Sequence, residues 1–121
     1  MPGPRFELCR IDDIPPGGSR GFSLEAHGRV EDIFVVSAPF GLVAYQNSCP
    51  HTGVPLDWVP DQFLNLDGDL VQCSTHGALF RIDDGVCVRG PCVGRSLTPV
   101  RVEVTEGRVS VVLDAADEKG T

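Results

Sequence analysis

The sequence predicts an all-β domain of short antiparallel strands, and three observations carry that reading. First, 14 Gly and 10 Pro among 121 residues interrupt the chain so often that no stretch reads as a long helix. Second, apolar residues alternate in the C-terminal third: Val100, Val102 and Val104 share one face, and Val109, Val111 and Leu113 repeat the pattern. Third, Asp67-Gly68 and Glu106-Gly107 stand between such runs as hairpin turns.

Each element follows in order. "IDDIPPGGSR" (11–20) is a loop by its Pro-Pro-Gly-Gly run. "DIFVVSA" and "GLVAYQN" are β-rich runs joined at Pro39-Phe40-Gly41, which reads as a hairpin. "NLDGDLVQC" places Asp67-Gly68 between Leu66 and Leu70 as a second hairpin. "ALFRI" and "VCVRG" flank a turn at Asp83-Asp84-Gly85, and "PVRVEVTEGRVSVVL" closes the chain as two strands around Glu106-Gly107. The ends, 1–4 and 114–121, are expected to fray.

Composition bounds the function. A chain of 121 residues and 41% hydrophobic content buries an ordinary core and needs no metal merely to fold. The N-terminal "MPGPRFELCR" lacks the apolar core of a signal peptide. The longest apolar region, "IFVVSAPFGLVAY", is too short for a bilayer and is broken by Pro39 and Gly41. A soluble, cytoplasmic protein with no membrane partner is expected. The net charge of −7 argues against nucleic acid and suits a basic protein surface. Five cysteines, an odd number without an export signal, argue against a disulfide framework.

Two Cys/His pairs carry the chemistry: Cys49-x-His51 and Cys73-x-x-His76, with 21 residues between them. Both pairs are expected on hairpin tips. Two thiolates and two imidazoles can hold one tetrahedral zinc. They can also hold a 2Fe-2S cluster, with sulfur ligands on one iron and nitrogen on the other. In an extended Cys-x-His both side chains point the same way, and the longer imidazole reaches further. One soft and one borderline ligand per loop, in the same order twice, favours two different metal atoms.

"CPH" followed by "CSTHGALF" resembles the Rieske 2Fe-2S proteins, whose signature is C-x-H, a spacer, then C-x-x-H-G. The likeness continues through "DDGVCVRGPC", with Gly90-Pro91 as the loop over the cluster, into "PVRVEVTEGRVSV" as closing strands. It runs from about the "DDIPPG" loop to Leu113, and the hairpin near Asp67 absorbs a spacer longer than the family's. The resemblance implies a Rieske-like fold, a small sandwich or barrel. One domain over 1–121 is expected, with a cluster-binding part at about 46–93 inserted into a β base. It implies one 2Fe-2S cluster on Cys49, His51, Cys73 and His76. Gly53, Gly77, Phe80 and Pro91 are expected around it.

The resemblance also implies a potential. High-potential members brace the ligand loops with a disulfide at the positions of Val54 and Thr75, which cannot form here. They place a hydroxyl and a Tyr at the positions of Ala78 and Phe80 to hydrogen-bond the sulfurs. Fewer such bonds leave the reduced cluster less stabilised. A potential near the bottom of the roughly −150 to +300 mV range is expected. His51 and His76 should lie near the surface, and their outer N–H groups should make the potential fall at high pH. Cys9 and Cys87 are expected in the core, and Cys92 at the cluster's edge, with a Cys87–Cys92 disulfide disfavoured in a reducing cell. Pro50 stiffens the first loop and Trp58 anchors the long one. Asp61, Asp67, Asp69, Asp83 and Asp84 form a docking face or a solvated surface.

Ring-hydroxylating relatives add a mononuclear iron held by two His and a carboxylate. After ligation only His27 is left, so the chain is expected to be a monomeric one-electron carrier and not an enzyme. It would run from a flavin or NAD(P)H-linked reductase to a terminal oxygenase or other redox enzyme. The alternatives are a small Rieske subunit of a nitrite-reductase-type complex, and a zinc-bound structural module.

Overall fold

The computed structural model describes residues 5–26, 28–48, 56, 62–65, 68–73, 77–91 and 93–113, without the side chains of Ala26 and Arg29. Regular structure there comprises β1 (Arg5–Arg10), β2 (Ser19–Ala26), β3 (Arg29–Ala38), β4 (Gly41–Gln46), β5 (Leu70–Gln72), β6 (Leu79–Arg81), β7 (Cys87–Arg89), β8 (Pro99–Thr105) and β9 (Arg108–Val112). One turn of 3-10 helix, Ile11–Asp13, lies in the expected loop. The expected all-β class stands: every strand pair is antiparallel, and no α-helix occurs among the described residues.

β3 organises the rest. Its run Ile33-Phe34-Val35-Val36 is apolar without alternation because both of its faces are buried. Period-2 geometry sends Ile33 and Val35 to one core and Phe34 and Val36 to another. The strands form a six-stranded sheet, β1-β9-β8-β4-β3-β2, and a three-stranded sheet, β5-β6-β7. In the large sheet Phe6 of one edge strand and Phe22 and Leu24 of the other pack on the same cluster around Ile33, Val35, Ala44, Val100 and Val111. Opposite edges meeting on one core means that the sheet curls into a barrel-like base.

The hairpins fall where turn chemistry predicts. Ala38 pairs with Gly41 across Pro39-Phe40. Thr105 pairs with Arg108 across Glu106-Gly107, both at positive φ (52° and 75°), as a type I′ turn requires. Leu64 bridges Val71, and the Asn65 side-chain oxygen accepts the Asp69 and Leu70 N–H groups at 3.1 Å, so the hairpin around position 68 is capped by its own asparagine. Leu66 and Asp67 lie outside the described residues. Two strands have no forecast: β1, and β2 ("SRGFSLEA"). β2 alternates poorly, and its order comes from an eight-residue ladder to β3.

The small sheet lies in sequence between β4 and β8, which pair with each other through Ala44–Val100 and Tyr45–Pro99. It therefore sits on a base whose β4–β8 pairing spans its insertion point. The second core lies between the two sheets. It joins Phe34, Val36 and Tyr45 of the base to Leu56, Phe63, Val71, Cys73, Ala78, Phe80 and Cys87. Phe34 and Phe63 stack at 4.3 Å between ring centroids.

Candidate metal centre

Of the four predicted ligands the described residues include Cys73. It follows β5 directly and is fully buried. Its N–H donates to the Ala78 carbonyl (2.9 Å), and its carbonyl accepts the Gly77 N–H (2.8 Å). These two bonds join the end of β5 to the start of β6 at Cys73, Gly77 and Ala78. The placing of the second pair at a strand exit holds at its Cys73 end. Gly77 turns this loop at φ 70°.

The first pair is approached from both sides. Asn47 follows β4, and its side-chain oxygen accepts the N–H of Leu56 at 2.7 Å. Its own N–H donates to the Asp32 carbonyl at 2.8 Å. One side chain so ties position 47 to position 56, across the segment that carries Cys49 and His51. Leu56 is fully buried in the same core as Cys73 and Ala78. Asn47 and Leu56 are absent from the motif-based reading. The available signal was an Asn at a strand exit, a residue type that closes loops through its side chain.

A third segment packs on the second loop. β7 runs back beside β6 to Gly90, where φ is 103°. A Cβ at Gly90 would stand 2.8 Å from the Ala78 Cα and 3.1 Å from its Cβ. Only glycine allows this backbone-on-backbone approach. The expected Gly90-Pro91 loop therefore lies against the loop that Cys73 begins, and Pro91 is exposed. Cys87 is buried as expected, and its thiol donates to the Arg89 carbonyl at 3.2 Å. Cys9 is only half-buried at the margin of the base core, because β1 is an edge strand. Burial still pushes its thiol pKa up, Arg20 opposes that, and Asp13 adds to it.

At the other end of the small sheet, Tyr45 donates its hydroxyl to the Ile82 carbonyl (2.7 Å). Burial, with the nearby Asp84 and Asp83 charges, pushes its pKa up to about 12. Gly85 packs under the ring, where a Cβ would stand 2.8 Å from Tyr45 Cε1. Asp84 binds Arg81 and the Val86 N–H, and Asp69 accepts from the Asn65 amide. Asp69, Asp83 and Asp84 thus sit at the end of the sheet away from the ligand segments.

Cys49, Pro50, His51, Gly53, Val54, Trp58, Asp61, Thr75, His76, Cys92 and His27 lie outside the described residues, as do the two ends. With three of four candidate ligands among them, no group of three His, Cys, Asp or Glu able to hold a metal occurs among the described residues. No helix there is long and apolar enough to cross a membrane.

The described frame fits a cluster: a buried thiol on a closed loop, a clamped second loop, and one apolar core joining their bases. The model of the Rieske [2Fe-2S] domain matches residues 5–113. The chain belongs to the Rieske [2Fe-2S] domain family. It is 33% identical over 98 residues to the biphenyl dioxygenase ferredoxin subunit of Pseudomonas sp. (strain KKS102), covering 80% of this chain and 83% of that protein. A chain in the complex of reduced oxygenase and oxidised ferredoxin of carbazole 1,9a-dioxygenase superposes with a TM-score of 0.70 at 28% identity, covering 88% of this chain and 91% of that one. A structure described as the NADH-dependent nitrite reductase small subunit of Mycobacterium tuberculosis shares the fold, with a TM-score of 0.68 at 23% identity over 95% of this chain and 98% of that one. As a Rieske protein of ferredoxin type the chain carries one 2Fe-2S cluster and works as an electron carrier, not as a catalytic enzyme.

Proposed function

We propose that Cys49, His51, Cys73 and His76 hold the cluster. On this reading 1–121 is one domain with its cluster-binding part at about 46–93, and the protein is a cytoplasmic ferredoxin that takes one electron from a flavin or NAD(P)H-linked reductase. It delivers that electron to a terminal oxygenase. The observation that carries the ligand assignment is the shared core under both loops, where Leu56 and Cys73 meet. The oxygenase partner is supported by the name of the biphenyl dioxygenase subunit and by the ferredoxin–oxygenase complex.

The cluster supplies a site that accepts and releases one electron. The chain's own residues decide how readily. The Cys73 thiolate would hold the cluster from inside the apolar core formed with Leu56, Phe63 and Phe80, which excludes water from that side. Gly90 lets the neighbouring loop press on Ala78, which follows the Gly77 turn at the end of the second candidate ligand segment. Ala78 and Phe80 are fully buried and bear no hydroxyl, so neither side chain can donate a hydrogen bond to a cluster sulfur. That supports a potential low in the family range.

EPR on the dithionite-reduced protein, with iron and sulfide assays, tests the assignment. A rhombic Rieske signal with about two irons and two sulfides per chain is expected. One zinc and no sulfide would replace the carrier by a zinc-bound module. A redox titration should place the midpoint below zero, and Ala78→Ser or Phe80→Tyr should raise it. A midpoint well above zero in the wild type overturns the low-potential reading. Stopped-flow reduction by a flavin reductase tests the donor. Stable co-purification with a large redox subunit would instead favour a nitrite-reductase-type complex, the second reading, which rests on a shared fold alone.

A further inference from the structure

An open groove of about 450 Å³ separates the β3–β4 hairpin tip from the β5–β6 end of the small sheet. Leu70 and Ile82 line it, with Phe40 on the hairpin side. Phe40 is 62% exposed, the one exposed aromatic side chain among the described residues. An aromatic ring left in water beside an apolar concavity is the kind of surface that interfaces use as an anchor.

The rim has a definite charge. Arg81 is its cation, and that guanidinium is already engaged by Asp84 through Nε–Oδ1 at 3.0 Å and a second contact from Nη2 to Oδ2. Asp69 accepts only from the neutral Asn65 amide, and Asp83 has no hydrogen bond or ion pair among the described residues. Asp83 feels the Arg81 charge, but that guanidinium is hydrogen-bonded to Asp84, so Asp69 and Asp83 have no ion-pair partner of their own among those residues. Tyr45, whose hydroxyl meets the Ile82 carbonyl, has its pKa pushed up first by burial and then by the Asp84 and Asp83 charges, so part of that shift reflects negative charge at this end of the sheet.

We propose that this groove is a second docking site, for a protein segment that inserts an apolar side chain and sets lysine or arginine against Asp69 and Asp83. The length of β5 and β6 separates it from Cys73, Gly77 and Gly90 at the other end of the small sheet. A partner held here leaves the ligand end open, so holding the carrier and exchanging its electron do not compete for one surface. The site stands whether or not the cluster's partners are those proposed above.

The holoprotein, labelled with 15N, is titrated with the peptide acetyl-Lys-Lys-Trp-Leu-Lys-amide and separately with acetyl-Glu-Glu-Trp-Leu-Glu-amide. Saturable shifts at the Phe40, Leu70, Ile82 and Asp83 amides are expected with the basic peptide, at least about tenfold tighter than with the acidic one. Phe40→Ala and Asp83→Lys should each weaken binding at least about fivefold while the visible spectrum of the cluster stays unchanged. Shifts centred on 87–95, equal affinity for both peptides, no saturable binding, or wild-type affinity in both variants overturn the proposal. None of these readouts depends on a redox partner, so failure here is distinct from failure of the electron-transfer reading.

Discussion

The six-stranded base and the three-stranded sheet are held together by different means. In the base, β2 and β3 pair over eight residues, and β8 and β9 over five. The core around Ile33, Val35, Val100 and Val111 draws on strands from the whole sheet. Order there is distributed, so no single hydrogen bond decides it. In the small sheet each strand has three residues, and β6–β7 pairing shifts register between Leu79 and Phe80. Strands that short do not stand alone. Single contacts hold them: Asn65 over its turn, Tyr45 on Ile82, Asn47 on Leu56, Gly90 on Ala78. The functional half of the molecule is thus the half in which one atom can change the geometry.

Breaking that half at its centre should have the largest effect. Cys73→Ser is expected to lower bound iron and sulfide at least about tenfold and abolish the Rieske EPR signal, as loss of a metal ligand does. The far-UV circular dichroism of the base should persist. Unfolding of the whole chain would show that the two regions are not separable.

Gly90→Ala comes next and has a built-in control. Both Gly90 and Gly94 adopt positive φ (103° and 95°), but a Cβ at Gly94 has nothing within 4 Å. Gly94→Ala should cost only the left-handed conformation, about 1–2 kcal/mol. Gly90→Ala adds an overpacking cost of about 1–3 kcal/mol against Ala78. Denaturant midpoints measure both, and Gly90→Ala alone should also shift the EPR g-values. Equal effects would remove Gly90 from the site's support.

Tyr45→Phe deletes a buried hydrogen bond and should cost about 1 kcal/mol. Its pH dependence is sharper. The folded-state pKa of about 12 lies above the ordinary tyrosine value of 10, so the charged form is disfavoured on folding. The resulting stability is fully present below pH 10 and is lost as pH rises from there through 12. Stability of Tyr45→Phe should fall less steeply over that window; an identical slope would refute the raised pKa. Asn47→Ala should cost a similar ~1 kcal/mol by freeing the Leu56 N–H, and should broaden the EPR line more than Tyr45→Phe does.

The smallest effect belongs to the base. Arg108 pairs with Glu7 at 3.3 Å on an exposed edge, with both side chains more than half exposed. Glu7→Ala should change stability by less than about 1 kcal/mol and leave the EPR spectrum untouched. A larger loss would mean that order in the base is less distributed than its ladders suggest.

Much of this was legible from local chemistry. Turn dipeptides located the hairpins at Pro39-Phe40, near Asp67-Gly68 and at Glu106-Gly107, because those residue types bias the backbone before any contact forms. The spacing of Cys49, His51, Cys73 and His76 pointed to a metal site, and the resemblance to the Rieske proteins chose the cluster over zinc, because a ligand motif records which donor types stand near one another. Other features depended on neighbours far along the chain. β2 has a weak pattern and is ordered by β3. Val104 alternates correctly yet is 47% exposed, because it stands near the β8–β9 turn. Five aspartates that read as one group include three set at the end away from the ligands. The Gly90–Ala78 approach and the Asn47–Leu56 clamp join positions 12 and 9 residues apart through a three-dimensional closure that no spacing rule contains. Sequence alone determined class and turns and supplied the candidate donor set, because these follow from each residue and its near neighbours. The tertiary structure decided which loops share a core, which face carries charge and how tightly the ligand loop is held, because those depend on where the curled base brings distant segments together.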